Sequence, residues 1–554
     1  MPTVEFSLKD LQKLLRRKIT AKELEDSIMF AKGEIESVNG DMVKADIKDS
    51  NRPDLWSIEG IAREMRGRYG DPGLAKYKIK KSGIKMIVDK KVENVRAKTV
   101  CAVVKNVRFD DYFIKQMIQL QEKIHQTYGR KREFCAAGIY DLDCIKPPIK
   151  YTTVKPNGIK FTPLDFEEEM TPAEILKKHP CGRDYGHLIN KFEEYPLMID
   201  SKGNVLSIPP IINSSLTGKI SEKTKNVFIE ITGHEIKRIS IALNVIVTAL
   251  AERGGQIQSV DIYYGKSKIT RPDLTAKKFS LDTDYCRKIL GLDLSDREII
   301  KLLKQSRYDA KPGKNIVVSY PAYRDDIMHS RDIIEDVAIS YGFNRMKPEQ
   351  PRLATIGKIN ELEAFSEKLR EVMIGLGFQE ILTFSLTNKE NLFEKMNIEE
   401  DRIIEIENPV SSSWTTLRNW LMPSIIEFAT KNKHVDYPQK IFELADCVVI
   451  DESAETKTRD EKKLTCVITD NSVSYEEISS NLDAFLKTLG LKYELKRKEH
   501  GSFIHGRAAE IIVNGKHIGI VGEINPQVLE NWRLEKPVVA FELNVNMIFD
   551  FLWK

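Results

Sequence analysis

The sequence has no feature that marks a zinc ribbon, a disulfide-stapled protein or a membrane protein. None of its seven cysteines belongs to a Cys-x-x-Cys pair, and scattered thiols in odd number are typical of a reducing compartment. The most apolar run, residues 239–251, is too short to span a bilayer. The start of the chain has no apolar signal core. We therefore expect a cytoplasmic protein.

The chain also has no marked excess of charge of either sign. Its 86 Lys and Arg residues barely exceed its 82 Asp and Glu residues, which gives a net charge of +4. Composition therefore indicates no general attraction to nucleic acid, and any RNA contact must depend on local basic patches. One such patch, Arg130, Lys131 and Arg132, lies beside Tyr128 and Phe134. It fits an RNA 3′ end and a solvated loop equally well.

Acidic residues are concentrated between Tyr320 and Met346. Asp325 and Asp326 precede a predicted helix capped by Ser330, and three more carboxylates follow at helical spacings of three and four. Clustered carboxylate oxygens are suitable ligands for a hard cation such as Mg²⁺. Acidic residues in a first helical turn also favour the helix dipole, and charged helix faces are usually just solvated. From spacing alone, the solvated face is the better interpretation.

Residues 268–346, which include KITRPDLTAKKFSLDTDYCRKILGLDL and IVVSYPAYRDD, resemble a module of the phenylalanine–tRNA ligase β-subunit family. The resemblance implies a magnesium site shared with the α subunit. Its four acidic ligands fall on Asp326, Asp332, Glu335 and Asp336. Asp336 is shorter than the Glu that the family often carries there, so direct contact with the ion is least expected at this position.

Residues 91–267 resemble the editing module of the archaeal and eukaryotic types of this family, with the match carried by LMIDSKGNVLSIPPIINS and IEITG. The resemblance places the editing pocket at Met198, Ser207, Glu230 and Thr232, with Met and Glu where the family has Leu and Asp. Without it, Ser207 is interpreted as an ordinary strand hydroxyl and Thr232 as a cap of the following helix. No base is visibly paired with either hydroxyl, which favours hydrolysis by an oriented water.

The C-terminal part begins with a predicted helix and a strand, EILTFSL, that resemble the first motif of class II tRNA ligases. The helix carries apolar residues at steps of three and four, and we expect this stripe to pack partly against a partner helix or, alternatively, only against its own sheet. A working class II site needs a Phe-Arg-x-Glu turn and a Gly-rich strand that ends in Arg. The sequence has Phe442-Glu443-Leu444 instead, and Arg507 and Arg533 lie elsewhere. We therefore expect an inactive, catalytic-like scaffold.

At 554 residues the chain exceeds the size of a single core. We predict an α+β multidomain fold with an N-terminal α/β module (1–90), a mixed α/β editing module (91–267), a small α+β, winged-helix-like module (268–346) and a class II synthetase-like antiparallel sheet with helices (355–554). The first module contains the turn Asn51-Arg52-Pro53-Asp54, for which a structural role is favoured. Residues 347–353 are predicted to be a linker.

The resemblance implies a β subunit that forms a complex of two α and two β chains. The α subunit would bind ATP and attach phenylalanine to tRNA(Phe) with Mg²⁺, while this chain would hydrolyse mischarged tyrosyl-tRNA(Phe). Two alternatives stay open at this point. One is a free-standing hydrolase of mischarged tRNA, and the other is an assembly scaffold with no chemistry of its own.

Overall fold

The computed structural model describes residues 2–553 and divides the chain into two compact units, Met1–Glu349 and Gln350–Lys554. Several separate sheets with helices between them make up the chain. The predicted mixed α/β, multidomain character is therefore confirmed. None of the helices within residues 2–553 is both long enough and apolar enough to cross a membrane.

A three-stranded antiparallel sheet with helices opens the first unit. Its elements are β1 (Thr3–Ser7), α1 (Leu8–Leu15), α2 (Ala21–Ile28), β2 (Gly33–Asn39), β3 (Met42–Ile47) and α3 (Ile58–Arg66). The strands pair in the order β1-β3-β2. The predicted cap of α3 is confirmed, because the Ser57 hydroxyl accepts a hydrogen bond from the Gly60 N–H.

The largest sheet of the first unit has ten strands. Its region contains β4 (Lys80–Val88), β5 (Lys98–Lys105), α4 (Asp111–Lys123), β6 (Cys135–Asp141), β7 (Ile149–Val154), α5 (Pro172–Lys178), α6 (Pro180–Tyr185), β8 (Tyr195–Ile199), β9 (Val205–Ile208), β10 (Ile212–Asn213), α7 (Ser215–Gly218), β11 (Val227–Gly233), α8 (Ile236–Glu252), β12 (Gln256–Tyr264) and β13 (Ser267–Arg271). The strand order is β10-β9-β8-β7-β4-β12-β5-β11-β6, with β13 paired to β12. Strand β11 lies between β5 and β6, and every one of its residues is buried.

A small antiparallel sheet with three helices ends the first unit. Its elements are β14 (Lys277–Leu281), α9 (Thr283–Leu290), α10 (Asp296–Gln305), β15 (Asp309–Lys311), β16 (Ile316–Tyr320) and α11 (Ser330–Tyr341). The prediction that Ser330 caps α11 is wrong by one residue. His329 is the cap: its ring nitrogen accepts the Arg331 N–H, and the Asp332 carboxylate accepts the N–H of His329.

A buried ion cluster joins the start of the first unit to α11. Arg52 makes a bidentate pair with Asp54, at 2.9 Å for both contacts. The guanidinium of Arg63 lies 4.0 Å from the ring centroid of Tyr323. The cluster consists of Lys32, Arg52, Asp54, Arg63, Glu64, Arg324, Asp326 and Asp336. The Asn51–Asp54 turn is therefore structural, and it closes a core that these two distant segments share.

The second unit is built on a seven-stranded sheet. Its elements are α12 (Glu361–Gly375), β17 (Gln379–Glu380), β18 (Leu386–Thr387), β19 (Thr416–Leu417), α13 (Met422–Lys431), β20 (Gln439–Ile450), β21 (Thr458–Thr469), α14 (Tyr475–Thr488), β22 (Tyr493–Arg497), β23 (Phe503–Val513), β24 (Lys516–Ile524), α15 (Pro526–Asn531), β25 (Val538–Asn544) and α16 (Val545–Leu552). The order is β17-β20-β21-β25-β24-β23-β22, and only the β17–β20 pairing is parallel.

The apolar stripe of α12 packs against its own unit. Phe365 and Leu369 are 3% and 0% exposed and belong to the core of the seven-stranded sheet, with Phe365 also against Phe549. Leu362 and Val372 are half-buried at the margin of the same core. A partner helix is therefore not what covers Phe365 and Leu369, and the alternative of packing on the chain's own sheet is correct for them.

Candidate functional site

A cavity of about 260 Å³ lies beside β11 in the first unit. We call it the β11 cavity. Two of the four editing residues expected from the sequence, Ser207 and Glu230, line it together with His125, Arg132 and the backbone around cis-Pro210. Ser207 reaches it from β9 and Glu230 from β11, strands that are not neighbours in the sheet. The fold therefore brings together two polar side chains that are 23 positions apart in sequence.

Glu230 lies in the middle of β11, opposite Cys101 on one side and Gly138 on the other. Its Oε1 is 2.9 Å from the Tyr140 hydroxyl, whereas its buried Oε2 has no hydrogen-bond partner among residues 2–553. Burial raises the pKa of Glu230 to about 8, against the lowering effects of the Tyr140 hydrogen bond and the Arg96 charge. The carboxyl group is thus mostly protonated at neutral pH and keeps one oxygen for a ligand.

The Tyr140 hydroxyl also lies 2.8 Å from Oγ of Ser207, so that it bridges the two cavity side chains. Gly138 makes room for this bridge. A Cβ at that position would come within 2.3 Å of the Tyr140 hydroxyl and 2.8 Å of Glu230 Oε1. Tyr140 was not among the expected site residues. The one sequence signal for it is the lone glycine within an apolar strand, which indicates a close approach at that point.

The other two expected residues lie in the same ten-stranded sheet but are not part of the cavity lining. Thr232 is held by Arg96, whose Nε donates to the Thr232 hydroxyl at 2.9 Å and whose Nη2 donates to its carbonyl at 2.8 Å. Met198 is fully buried and pairs with Ser207 across the β8–β9 ladder. Neither residue lines the cavity. Their direct neighbours are thus Arg96 and Ser207, and Arg96 is a further residue that the sequence did not single out.

His125 is the only histidine that lines the cavity, and its ring is fully engaged. Its Nε2 accepts the Ala137 N–H at 2.9 Å, so its Nδ1–H donates to Glu122, 3.0 Å away. Since both nitrogens are occupied, His125 has no lone pair with which to act as a base on a ligand. Its part is to hold the strand and helix that form the wall.

The basic patch divides into an exposed part and a buried part. Arg130 and Lys131 are exposed. Arg132 is buried, and its Nη1 donates to the carbonyls of Pro210 and Ile211 at 3.2 and 2.8 Å. All three residues of the patch have positive φ, between 46° and 68°, which is costly for residues other than glycine. Arg132 therefore fixes the cavity wall, and only the first two residues can meet a nucleic acid.

The four acidic positions of the expected metal site do not form one cluster. Asp326 and Asp336 both pair with the buried guanidinium of Arg324, and Asp336 also accepts the Tyr308 hydroxyl at 2.5 Å. The Arg324 charge holds the pKa of Asp336 well below its usual range, against the effect of burial. In the described part of the chain, no three His, Cys, Asp or Glu residues are arranged to hold a metal ion.

Asp332 and Glu335 differ from that pair. Asp332 uses one oxygen to accept two backbone N–H groups at the start of α11, and Glu335 is exposed. The residues present therefore do not fit a complete magnesium site within this chain. Of the four expected positions, these two are the ones exposed enough to contribute to a site that another chain completes, and Glu335 also lies 3.4 Å from Lys32.

A second buried ion pair joins Arg418, just after β19, to Glu443 on β20 of the seven-stranded sheet. Arg418 donates to Glu443 at 3.1 Å and to the Thr383 hydroxyl at 2.7 Å, and both members of the pair are 2% exposed or less. Glu443 belongs to the sequence Phe442-Glu443-Leu444 that replaces the Phe-Arg-x-Glu turn. The guanidinium is thus neutralised inside the sheet, where it cannot meet a phosphate.

The protonation of Glu230 leads to a prediction about pH and stability. Between pH 4.5 and about 8 this carboxyl ionises in the unfolded chain but stays protonated in the fold, so stability falls as pH rises through this window. Glu230→Gln does not titrate. We therefore expect the difference in Tm between Glu230→Gln and the wild-type protein to increase in favour of the variant from pH 5 to pH 8.5. The corresponding gain in free energy of unfolding is at most about 1.4 kcal/mol for each unit of the pKa shift. Thermal unfolding scans across this range would measure it, and a pH-independent difference would contradict it.

Comparison with known proteins gives one consistent family. Family models match residues 90–259 (B3/4 domain), 279–343 (tRNA synthetase B5 domain) and 347–545 (phenylalanyl tRNA synthetase beta chain CLM domain). The chain is similar to the phenylalanine–tRNA ligase beta subunit of Pyrococcus horikoshii, with 49% identity over 99% of this chain and 100% of that one. The Methanocaldococcus jannaschii beta subunit is 43% identical, over 98% and 100%.

A solved structure gives the same result for part of the chain. It is the N-terminal fragment of the phenylalanyl-tRNA synthetase beta subunit from Pyrococcus horikoshii, with a TM-score of 0.60 and 49% identity. The similarity covers 62% of this chain and 100% of the fragment.

Proposed function

The chain belongs to the phenylalanine–tRNA ligase β-subunit family, and from this premise we propose that it works with a separate α subunit, as two α and two β chains. The complex attaches phenylalanine to tRNA(Phe) with ATP and Mg²⁺. In this chain, the β11 cavity hydrolyses tyrosyl-tRNA(Phe) made in error. The observation that carries the editing proposal is the buried carboxyl oxygen of Glu230, which lacks a partner within residues 2–553 and belongs to a side chain that lines the β11 cavity.

Editing is needed because the synthetic site cannot fully exclude tyrosine when it selects phenylalanine. Tyrosine differs from phenylalanine by one hydroxyl, and an apolar pocket rejects an isostere with an added hydroxyl by only about a hundredfold. A second site that requires the hydroxyl is far more selective, because the wrong ligand leaves its polar group unpaired. Glu230 supplies such a group: a tyrosine phenol satisfies Oε2, and a phenylalanine ring leaves it buried and unpaired.

The hydrolysis itself needs an oriented water more than a nucleophilic side chain. The water oxygen bonds to the ester carbonyl carbon, the bond from that carbon to the ribose oxygen breaks, and the ribose oxygen takes a proton. Tyrosine and uncharged tRNA are released. Both nitrogens of His125 are engaged, which argues against a paired base and favours positioning by Ser207.

Synthesis belongs to the α subunit in this proposal. Support comes from the second unit, where the resemblance to class II enzymes puts Glu443 at the position of their ATP-binding arginine. The nearby Arg418 is paired with Glu443 and is buried. Without such a cation, nothing neutralises the charge that develops on the phosphates. The second unit then serves as a scaffold for assembly. ATP and phenylalanine bind in the partner chain.

The assembly surface that we propose is an apolar patch of the second unit, formed by Leu382, Phe384 and Trp414. Leu382 and Phe384 are 86% and 75% exposed, and the ring of Phe384 lies 5.8 Å from that of Trp414. Large aromatic side chains rarely stay this exposed without a partner, and they are enriched at interfaces. The occupant we propose is the α subunit.

We expect Phe384→Asp to prevent co-purification with the α subunit, because a carboxylate at the centre of an apolar contact is buried without a partner. Leu216→Asp, which changes a 59% exposed residue of the first unit, serves as the matched control and should leave the complex intact. Size-exclusion chromatography of the co-expressed chains measures both. A full four-chain complex with Phe384→Asp would exclude this patch as the interface.

The same preparation separates the proposal from its two alternatives. A chain that hydrolyses tyrosyl-tRNA without the α subunit is a free-standing hydrolase. One that assembles but never hydrolyses tyrosyl-tRNA is a scaffold. Phenylalanylation and deacylation that both require the assembled complex support the proposal.

The magnesium site of the proposal is shared between chains. Asp332 and Glu335 are the two carboxylates of this chain that would contribute to it, and the α subunit would supply the remaining ligands. The bound ion would supply positive charge near phosphate groups. Asp326 and Asp336 support the site indirectly, because they hold the loop and helix that carry these ligands.

A further inference from the structure

The Tyr140 hydroxyl connects the two polar side chains of the β11 cavity. It lies 2.9 Å from Oε1 of Glu230 and 2.8 Å from Oγ of Ser207, and all three side chains are at most 2% exposed. Burial raises the pKa of Tyr140 well above its ordinary value, so the phenol keeps its proton. With a single proton, it can donate to only one of its two neighbours. The other neighbour must then donate to it.

This rule leaves two arrangements of the hydrogen bonds. In the first, a protonated Glu230 donates to Tyr140, and Tyr140 donates to Ser207, which leaves the Ser207 proton free. In the second, Tyr140 donates to Glu230 and Ser207 donates to Tyr140, so that a lone pair of Ser207 is left for a ligand. If Glu230 is ionised it has no proton to give, and only the second arrangement exists.

We propose that Tyr140 is a positioning residue that couples recognition of a substrate phenol at Glu230 to the orientation of the Ser207 hydroxyl. The inference rests on the proposed editing function and deepens it. A phenol that donates to Oε2 favours the ionised carboxylate, because a hydrogen bond to the charged form stabilises that form. The carboxyl proton leaves to solvent, and the second arrangement becomes fixed.

The coupling gives the cavity a second level of selection. With its own proton donated to Tyr140, Ser207 can accept a hydrogen bond from the hydrolytic water and hold that water in one orientation. A phenylalanyl ester has no phenol, so Glu230 stays protonated and the Ser207 hydroxyl is not fixed. Selection therefore acts on kcat as well as on binding.

The structure around Tyr140 supports a role for its hydroxyl beyond packing. The ring already packs in the core, 6.0 Å from that of Phe228. Gly138 adds nothing to that packing, and any larger residue there would displace the hydroxyl from Glu230. A glycine at position 138 of β6 therefore leaves the space that the Tyr140 hydroxyl occupies.

The test is a double-mutant cycle with the assembled complex, in which kcat and KM are measured for deacylation of tyrosyl-tRNA and phenylalanyl-tRNA. Tyr140→Phe should lower kcat for tyrosyl-tRNA about 10- to 100-fold and leave KM within about threefold. Combined with Ser207→Ala, it should cause no further loss, because Tyr140 acts through Ser207. An additive double mutant, or an unchanged kcat in Tyr140→Phe, would overturn the coupling.

Two further variants keep the test decisive. Tyr264→Phe is the control: it removes a half-buried hydroxyl whose hydrogen bonds go to the Thr99 backbone. Its kcat should equal that of the wild-type complex. If Tyr140→Phe does not fold, Gly138→Ala displaces the same hydroxyl and should give the same loss of kcat; a normal kcat there also overturns the inference. A wild-type complex that releases no tyrosine removes the editing proposal itself, whereas normal editing with an unaffected Tyr140→Phe removes only the coupling.

Discussion

Glu230→Ala is expected to lower kcat/KM for deacylation of tyrosyl-tRNA about 100-fold or more and to let mischarged product accumulate. The change removes the buried carboxyl oxygen that we propose meets the substrate phenol, and it leaves the Tyr140 hydroxyl with Ser207 alone. A hundredfold loss corresponds to about 2.7 kcal/mol, which is within the range for a lost buried hydrogen bond together with a disordered water. Phenylalanylation should not change.

Two comparison variants sharpen this expectation. Glu230→Gln keeps the size and polarity of a protonated carboxyl and should retain more activity than the alanine variant at pH 7. Glu168→Ala removes an exposed carboxylate of the same module and should have no effect. Deacylation by the Glu230→Ala complex at the wild-type rate would exclude Glu230 from recognition.

Asp336→Asn is expected to lower the stability of the first unit by about 3–5 kcal/mol, the usual cost of removing one partner from a buried ion pair. Arg324 is 2% exposed and would keep only Asp326 as its counter-charge, while Lys32 and Arg52 remain nearby as like charges. This loss of stability corresponds to a decrease in Tm on the order of 10 °C. Differential scanning calorimetry of the complex measures it, and a Tm within 2 °C of the unchanged protein, roughly what 1 kcal/mol produces, would contradict it.

Asp332→Asn is the matched variant on the same helix. Its carboxylate is partly exposed and forms no ion pair within residues 2–553, so the loss of stability should be no more than about 1–2 kcal/mol, the value of a helix cap. If the shared metal site exists, this variant should weaken Mg²⁺ binding by the complex in isothermal titration calorimetry. Unchanged affinity would make the acidic face a solvated helix start and nothing more.

The sequence predicted features that depend on local chemistry or on a family string. The Ser57 cap follows from its neighbours in the chain. The proposal of Ser207 and Glu230 as editing residues rests on two segments that resemble the family, and the structure adds that both line one cavity. The sequence could not predict Tyr140, because the contact with Glu230 joins residues 90 positions apart and depends on how β6 pairs with β11. Apart from the lone glycine at position 138, the sequence around Tyr140 indicates only an apolar strand.

In helix α11 the sequence predicted a grouping of side chains that the structure does not show. The spacing of Asp332, Glu335 and Asp336 predicted a shared face, but spacing cannot show that Asp336 is turned toward Arg324 and buried. The apolar stripe of α12 could not reveal what covers it either, since a partner helix and the chain's own sheet produce the same periodicity. The residue bounds of the four modules stay a prediction.

The buried ion cluster also sets an order of events during synthesis. Lys32 leaves the ribosome about 300 residues before Asp336, with which it pairs at 3.7 Å, and at about 5–20 residues per second that partner follows tens of seconds later. Throughout that interval Lys32 has the nearby Asp49 as its counter-charge but not Asp336, and the Tyr323 ring that packs on Arg63 has not yet been made. The final packing of the N-terminal segment must therefore wait for α11, so the first segment made is among the last to become native.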